Sequence, residues 1–321
     1  MLLYMDSLAP AVVSTPTWSP PLPAWALSRR RDTSESDAAF AAGIPLKSLD
    51  ELIRSDPPWL GCWRDRLALK SAVVAARMLG RNEDEHAVRD AVLLTAAGDD
   101  PGPAGRLFSA TRMVSRRSGT ITAPLVRELA TLFGIRWDDG LAAIPDRVDS
   151  AIQSGRAAPF AVADLITAIS AVRPDAEVLA LGLADVVLAH TLKWPKAVPL
   201  MLPERFGPAF RTIGGRGRIG PGEPAYPKAI CLAVVDGVEA ALRSAVDIDR
   251  RAARLLAVAP KVRTKGAEPV LRKLLNEDAV PASAPGSGLS RWATTRLFER
   301  LETFDAVREL SGRSSFRIFG L

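Results

Sequence analysis

The sequence predicts a mostly α-helical protein: a multi-helical domain followed by a C-terminal winged helix-turn-helix-like domain with a small β-hairpin. Three observations predict it. Apolar residues recur at helical spacing over most of Pro45–Val258. Strand-like alternation is confined to the residues after Ala306. The last segments run helix, turn, helix, hairpin, which is the order of a winged helix. The expected boundaries are 1–30 for a disordered proline-rich tail, 31–262 for the multi-helical domain and 263–321 for the winged-helix-like domain.

The tail holds Pro10, Pro16, Pro20, Pro21 and Pro23 and no apolar period, so it cannot offset its ordering entropy. It also lacks the basic start and apolar run of a signal peptide. Pro45 suits the first turn of a helix over Leu46–Arg54. A long helix over Trp59–Leu79 should end at Gly80. Asn82 and Glu85 form a capping-box-like pair ahead of Val88, Ala91, Val92 and Thr95. Further helices are expected over 103–117, Ala123–Phe133 (stopped by Gly134), Ile144–Gln153, 159–172, 175–192 and Tyr226–Val258. Between the last two, prolines and glycines break any period, and Lys193–Pro224 reads as loop.

Two apolar runs, Ala157–Val172 and Val178–Leu192, are shorter than the roughly 18 residues a membrane span needs. Each carries an acid, Asp164 or Asp185, so they read as a buried helical hairpin rather than as membrane. If buried, those acids and His190 need partners, and Arg173 is a candidate. The two cysteines, Cys62 and Cys231, exclude a disulfide framework and fit a reducing, cytoplasmic setting.

In the C-terminal domain, Glu268–Asn276 reads as a short helix, and Ser290 should cap a helix over Arg291–Phe304. Ala293, Leu297, Leu301 and Phe304 share one face, edged by Phe298. Trp292, Thr295, Arg296, Glu299, Arg300 and Thr303 share the other. The prolines and glycines of 281–288 disfavour a middle helix. Val307–Leu310 and Ser314–Phe319 are the expected strands, with Phe316 and Ile318 inward and Arg317 outward. The net charge of +6 is distributed unevenly. From Arg250 onward there are 14 Lys/Arg against 7 Asp/Glu, and the preceding residues hold 28 against 29. The basic excess is thus C-terminal, which favours an anionic partner.

Four constellations bear on chemistry. Glu83-x-x-His86 has the spacing of two ligands on one helical face, but a di-iron bundle needs a second such pair, and no metal is expected. Asp99 and Asp100, ahead of Pro101 and Arg106, form the candidate small-ligand loop; capping the next helix is the better account of them. Gly215-x-Gly217-x-x-Gly220 matches a dinucleotide fingerprint by letter but lacks its strand and helix, and reads as a mobile basic loop with Arg211, Arg216 and Arg218. Two histidines and two cysteines give no nucleophile–base arrangement, and no cofactor is implied.

The stretches PPWLGCWRDRLALKSAVVAARMLGRNEDEHAVRDA, GDDPGPAGRLF, LLNEDAVPAS and VRELSGRSSFRIFGL resemble a family of uncharacterised rhizobial proteins of about this length, over nearly the whole chain after the tail. That resemblance implies no activity. The C-terminal piece is also similar to the helix-turn-helix tails of other rhizobial proteins and of some Fic-type proteins. Fic catalysis needs His-Pro-Phe, and neither His86 nor His190 is followed by it.

The leading functional reading is a non-enzymatic DNA-binding or regulatory accessory protein. Its contacts to duplex DNA would be Arg291, Thr295, Arg296 and Arg300 on the helix, with Arg308, Arg313 and Arg317 on the hairpin. Two rivals stand beside it: a protein-interaction scaffold that uses the Trp292 face, and a ligand binder or enzyme at Asp99, Asp100 and Arg106. Oligomeric state is not encoded legibly.

Overall fold

The computed structural model describes residues 22, 33–96, 98–117, 120–212, 216–262, 264, 266–283, 288–313 and 316–321. Except for Leu22, which packs on the core, the tail expected to be disordered lies outside these residues. So do Gly215 of the glycine loop and Ser314 of the expected second strand.

The described chain is built of helices: α1 (Glu35–Ser55), α2 (Leu60–Met78), α3 (Glu85–Leu93), α4 (Gly102–Ser115), α5 (Ala123–Phe133), α6 (Asp139–Ala142), α7 (Ile144–Gln153), α8 (Ala158–Val172), α9 (Glu177–Thr191), α10 (Met201–Glu204), α11 (Tyr226–Val258), α12 (Glu268–Asn276) and α13 (Arg291–Thr303). Three short strands follow the body: β1 (Val280–Pro281), β2 (Arg308–Glu309) and β3 (Ile318–Gly320). They form one antiparallel sheet in the order β1-β3-β2. The expected hairpin therefore gains a third strand. A two-residue strand is too short to show alternation, and its pairing with β3, Val280 with Phe319 and Pro281 with Ile318, defines it.

Pro45 is not at a helix start. It lies inside α1, which is capped by Ser34 accepting from the Asp37 N–H at 3.0 Å. The helix survives the lost hydrogen bond because Ala38, Ala42, Leu46 and Leu49 pack along α11. Likewise Asp84, not Asn82, caps α3, accepting from the Ala87 N–H at 2.8 Å. The 33-residue α11, about 50 Å long, is the spine for α1 and α8.

At the centre lies α9, buried on all sides from Val178 to Ala189 and touching α4, α5, α7, α8 and α10. With α8 it forms the expected hairpin. No helix among the described residues is long and apolar enough to cross a membrane. The expected pairing of its acids with Arg173 is wrong. Asp164 faces outward and pairs with Arg156 at 2.6 Å. Arg173 instead binds Asp138 and Asp175 at 2.6 and 2.7 Å. His190 is exposed.

Asp185 is fully buried and accepts the Met201 N–H at 3.1 Å. Burial pushes its carboxyl well above the ordinary carboxylate range, and the N–H groups of Leu200 and Met201 offset this only in part. The folded state therefore holds a proton that the unfolded chain releases. Stability contributed by the neutral acid is complete below the unfolded pKa and declines as pH rises toward the folded one. Asp185→Asn keeps the acceptor and removes the titration. It should raise stability at neutral pH, with the gain vanishing toward about pH 4. Thermal melts across that range check this; a gain independent of pH would contradict it.

Candidate functional site

The C-terminal residues are held to the body by buried charge. Asp278, between α12 and β1, receives Arg66 of α2 and Arg89 of α3, the latter at 2.7 Å. Arg66 also donates to the carbonyls of Asp278 and Leu321 at 3.1 and 3.2 Å. All three side chains are buried. The two guanidinium groups hold the Asp278 carboxyl below its ordinary value despite its burial. Gly320 completes the joint. A Cβ there would sit 2.6 Å from the Asp278 carbonyl, so the backbones can meet only at a glycine. Farther out, Asp305 pairs with Arg251 and Arg254 of α11.

This anchoring fixes which face of α13 points outward. Ser290 caps the helix, accepting from the Ala293 N–H at 3.2 Å. Thr294, Leu297, Phe298 and Leu301 are its buried stripe, and Phe298 stacks on Phe319 with ring centroids 4.4 Å apart. The stripe is rotated from the expected one: Thr294 is buried and Phe304 exposed. A threonine is tolerated there because its hydroxyl returns to the Ser290 carbonyl at 3.2 Å.

Arg291, Trp292, Arg296, Glu299 and Arg300 are exposed, with Thr295 half-buried beside them. Trp292 is 66% exposed, and the Arg296 guanidinium lies 3.5 Å from its ring centre. Among the described residues none of these three arginines has an ion pair.

The hairpin arginines differ. Arg313 binds Asp90 of α3 and Arg317 binds Glu302 at 2.9 Å, so both charges are already matched within the chain. Arg308 stands exposed at the mouth of a cleft of about 480 Å³ between α2, α11 and β2. Crowding by the cleft walls and the charges of Arg66, Arg251 and Arg89 hold its guanidinium below the ordinary value. Phe316, expected inward, is 66% exposed, because its φ of 54° puts it in a left-handed turn that breaks the alternation.

The other sequence candidates become structural or local. Asp100 binds Arg106 at 2.9 Å and accepts the Gly102 N–H at 3.1 Å, tying the loop to the first turn of α4; Asp99 is exposed. Glu83 binds Arg81 at 2.8 Å, and His86 is exposed. The described part of the glycine loop is tied down. Arg211 bridges Arg218, which donates to the carbonyls of Arg205 and Gly207 at 2.7 and 3.1 Å.

One basic site was not foreseen. Arg64 of α2 is 6% exposed, and its Nε and Nη2 have no hydrogen-bond partner among the described residues. Burial pulls it down to about 10, and Asp56 offsets this only in part. It lines a cleft of about 420 Å³ together with Lys193 and Lys196. Lys193 has a φ of 57° at the end of α9, where glycine is the usual residue. The only sequence signal was that lysine in place of a glycine; some 130 residues separate it from Arg64.

No curated protein and no solved structure matches the chain. A family model described as "Protein of unknown function (DUF1403)" matches residues 10–321, and the chain belongs to that family.

Proposed function

We propose that this protein binds duplex DNA through α13 and acts as a DNA-binding or regulatory accessory protein. The observation that carries the reading is the outer face of α13: three exposed arginines without acidic partners among the described residues, on a helix locked to the body through its other side. The order α12, β1, α13, β2, β3, with the sheet ordered β1-β3-β2, supports a winged helix with α13 as its recognition helix. The resemblance of this segment to helix-turn-helix tails supports it too. Arg291 adds a further argument. A cation in a first helical turn opposes the helix dipole and costs about 0.3–1 kcal/mol, so its place there favours an outside anion.

In this reading Arg296, Arg300 and Thr295 face the major groove, Arg291 takes a phosphate, and Trp292 pre-orders Arg296. Arg308 extends the positive surface. Arg313 and Arg317 contribute by exchanging Asp90 and Glu302 for phosphates, so they rank below the helix. Glu299 keeps phosphates off its own part of the face and fits a base contact to cytosine. The free, buried thiols of Cys62 and Cys231, both pushed up to about 12 by burial, support a reducing cytoplasmic setting.

Fluorescence anisotropy with a mixed-sequence duplex tests the reading. Binding should weaken steeply with salt, and Arg296→Ala should lower the log–log salt slope by about one or relax preference at one base pair. Absence of binding at low salt would remove the proposal. A second reading, a protein partner on the same face, is favoured by the exposure of Trp292 and Phe316 and would then take its place.

A further inference from the structure

We propose that the Arg64 cleft is a binding site for a small phosphate-bearing molecule, separate from the α13 face. Three observations converge there. Arg64 is more than nine-tenths buried, with two guanidinium nitrogens unpartnered among the described residues, and it forms part of the cleft wall. A buried guanidinium without an acceptor is costly, and a turn of the Arg64 side chain toward the cleft would bring it a ligand oxygen. Lys193 and Lys196 line the same cleft and are exposed, and Arg54 stands at its edge, bound to Asp50. Among the described residues Asp56 is the one acid in the wall, so cations prevail. Arginine and two lysines around one space suit a tetrahedral dianion better than a carboxylate, because the donors approach from several sides.

The turn that carries the lysines is built and not loose. Trp194 is buried, its Nε1 donates to Asp50 at 3.0 Å, and its N–H reaches the Ala189 carbonyl at 2.8 Å. Lys193 thus holds a left-handed conformation in a fixed turn, which carries its side chain to the cleft. On the other side of Trp194 and Lys196 a second lobe of about 430 Å³ opens, lined by Arg117, Gln153 and His190. The two lobes share the wall Trp194–Lys196, and each is large enough for part of a nucleotide-sized molecule. The phosphate belongs to the Arg64 lobe and the organic part to the other.

Thermal unfolding of the full chain at constant ionic strength tests this, with pyrophosphate and a nucleoside triphosphate as probes and chloride as the matched control. The wild type should show a saturable rise in Tm with either probe, and tighter binding of the triphosphate. Arg64→Met and Lys193→Gly should each weaken both probes by about tenfold or more. Lys193→Gly puts glycine where the turn prefers it, so it keeps the test open if Arg64→Met does not fold. Arg296→Ala should leave the rise unchanged, which separates this site from the DNA face. A rise no larger than chloride gives, or one that persists in both cleft variants, would overturn the site. Equal binding of the two probes would overturn the role of the second lobe.

Discussion

Asp278→Ala should destabilise the protein by about 3–5 kcal/mol, more than any surface substitution. The aspartate is the common acceptor of two buried arginines, so its loss leaves Arg66 and Arg89 buried and uncompensated. It also frees the stretch between α12 and β1 from α2 and α3. The damage should therefore begin at the C-terminal sheet and α13, which reach the body through this joint. Urea unfolding measures the size of the effect, and proteolysis that starts after α11 locates it. A loss below ~1 kcal/mol would show that the cluster is not what anchors the segment. The same carboxylate sets an acid limit. Its folded pKa is depressed, so its contribution is present above the ordinary carboxylate pKa of about 3.9 and is lost as pH falls through the folded value. The wild type should lose its advantage over Asp278→Ala below pH 4.

The helices were legible where their signals were local. Gly134 closes α5 and Ser290 opens α13, because a left-handed stop and a capping hydroxyl act within one turn. The bounds of α11 and α12 follow from periodicity alone. What was illegible depends on residues far apart. Pro45 reads as a helix start, yet α1 runs through it because α11 supplies the packing. Strand β1 has no alternation of its own and exists by pairing with β3. Phe316 obeys the alternation rule in sequence and breaks it in space, since one left-handed residue reverses its face. The Arg66–Asp278 pair spans 212 residues, and no composition argument could distinguish those two charges from solvated ones. On the α13 face Trp292, Arg296, Glu299, Arg300 and Thr303 are exposed as expected, and Thr295 is half-buried. The matching of Arg313 was invisible because Asp90 comes from α3, and that of Arg317 because Glu302 reaches it from α13.

The second large effect concerns the α13 face. Replacing Arg291, Arg296 and Arg300 together by alanine should weaken duplex binding by about 100-fold or more at low salt. Each is exposed and without an ion pair among the described residues, so the fold should hold. Alanine also favours the helix and relieves the cation in its first turn. The most direct measurement is the salt dependence of duplex binding by wild type and triple variant, with thermal unfolding run beside it. If Arg291 takes a phosphate and Arg296 and Arg300 lie in the groove beside it, the log–log slope should fall by at least about 1 while Tm is retained. Equal slopes for the two proteins, at unchanged Tm, would contradict DNA recognition by α13.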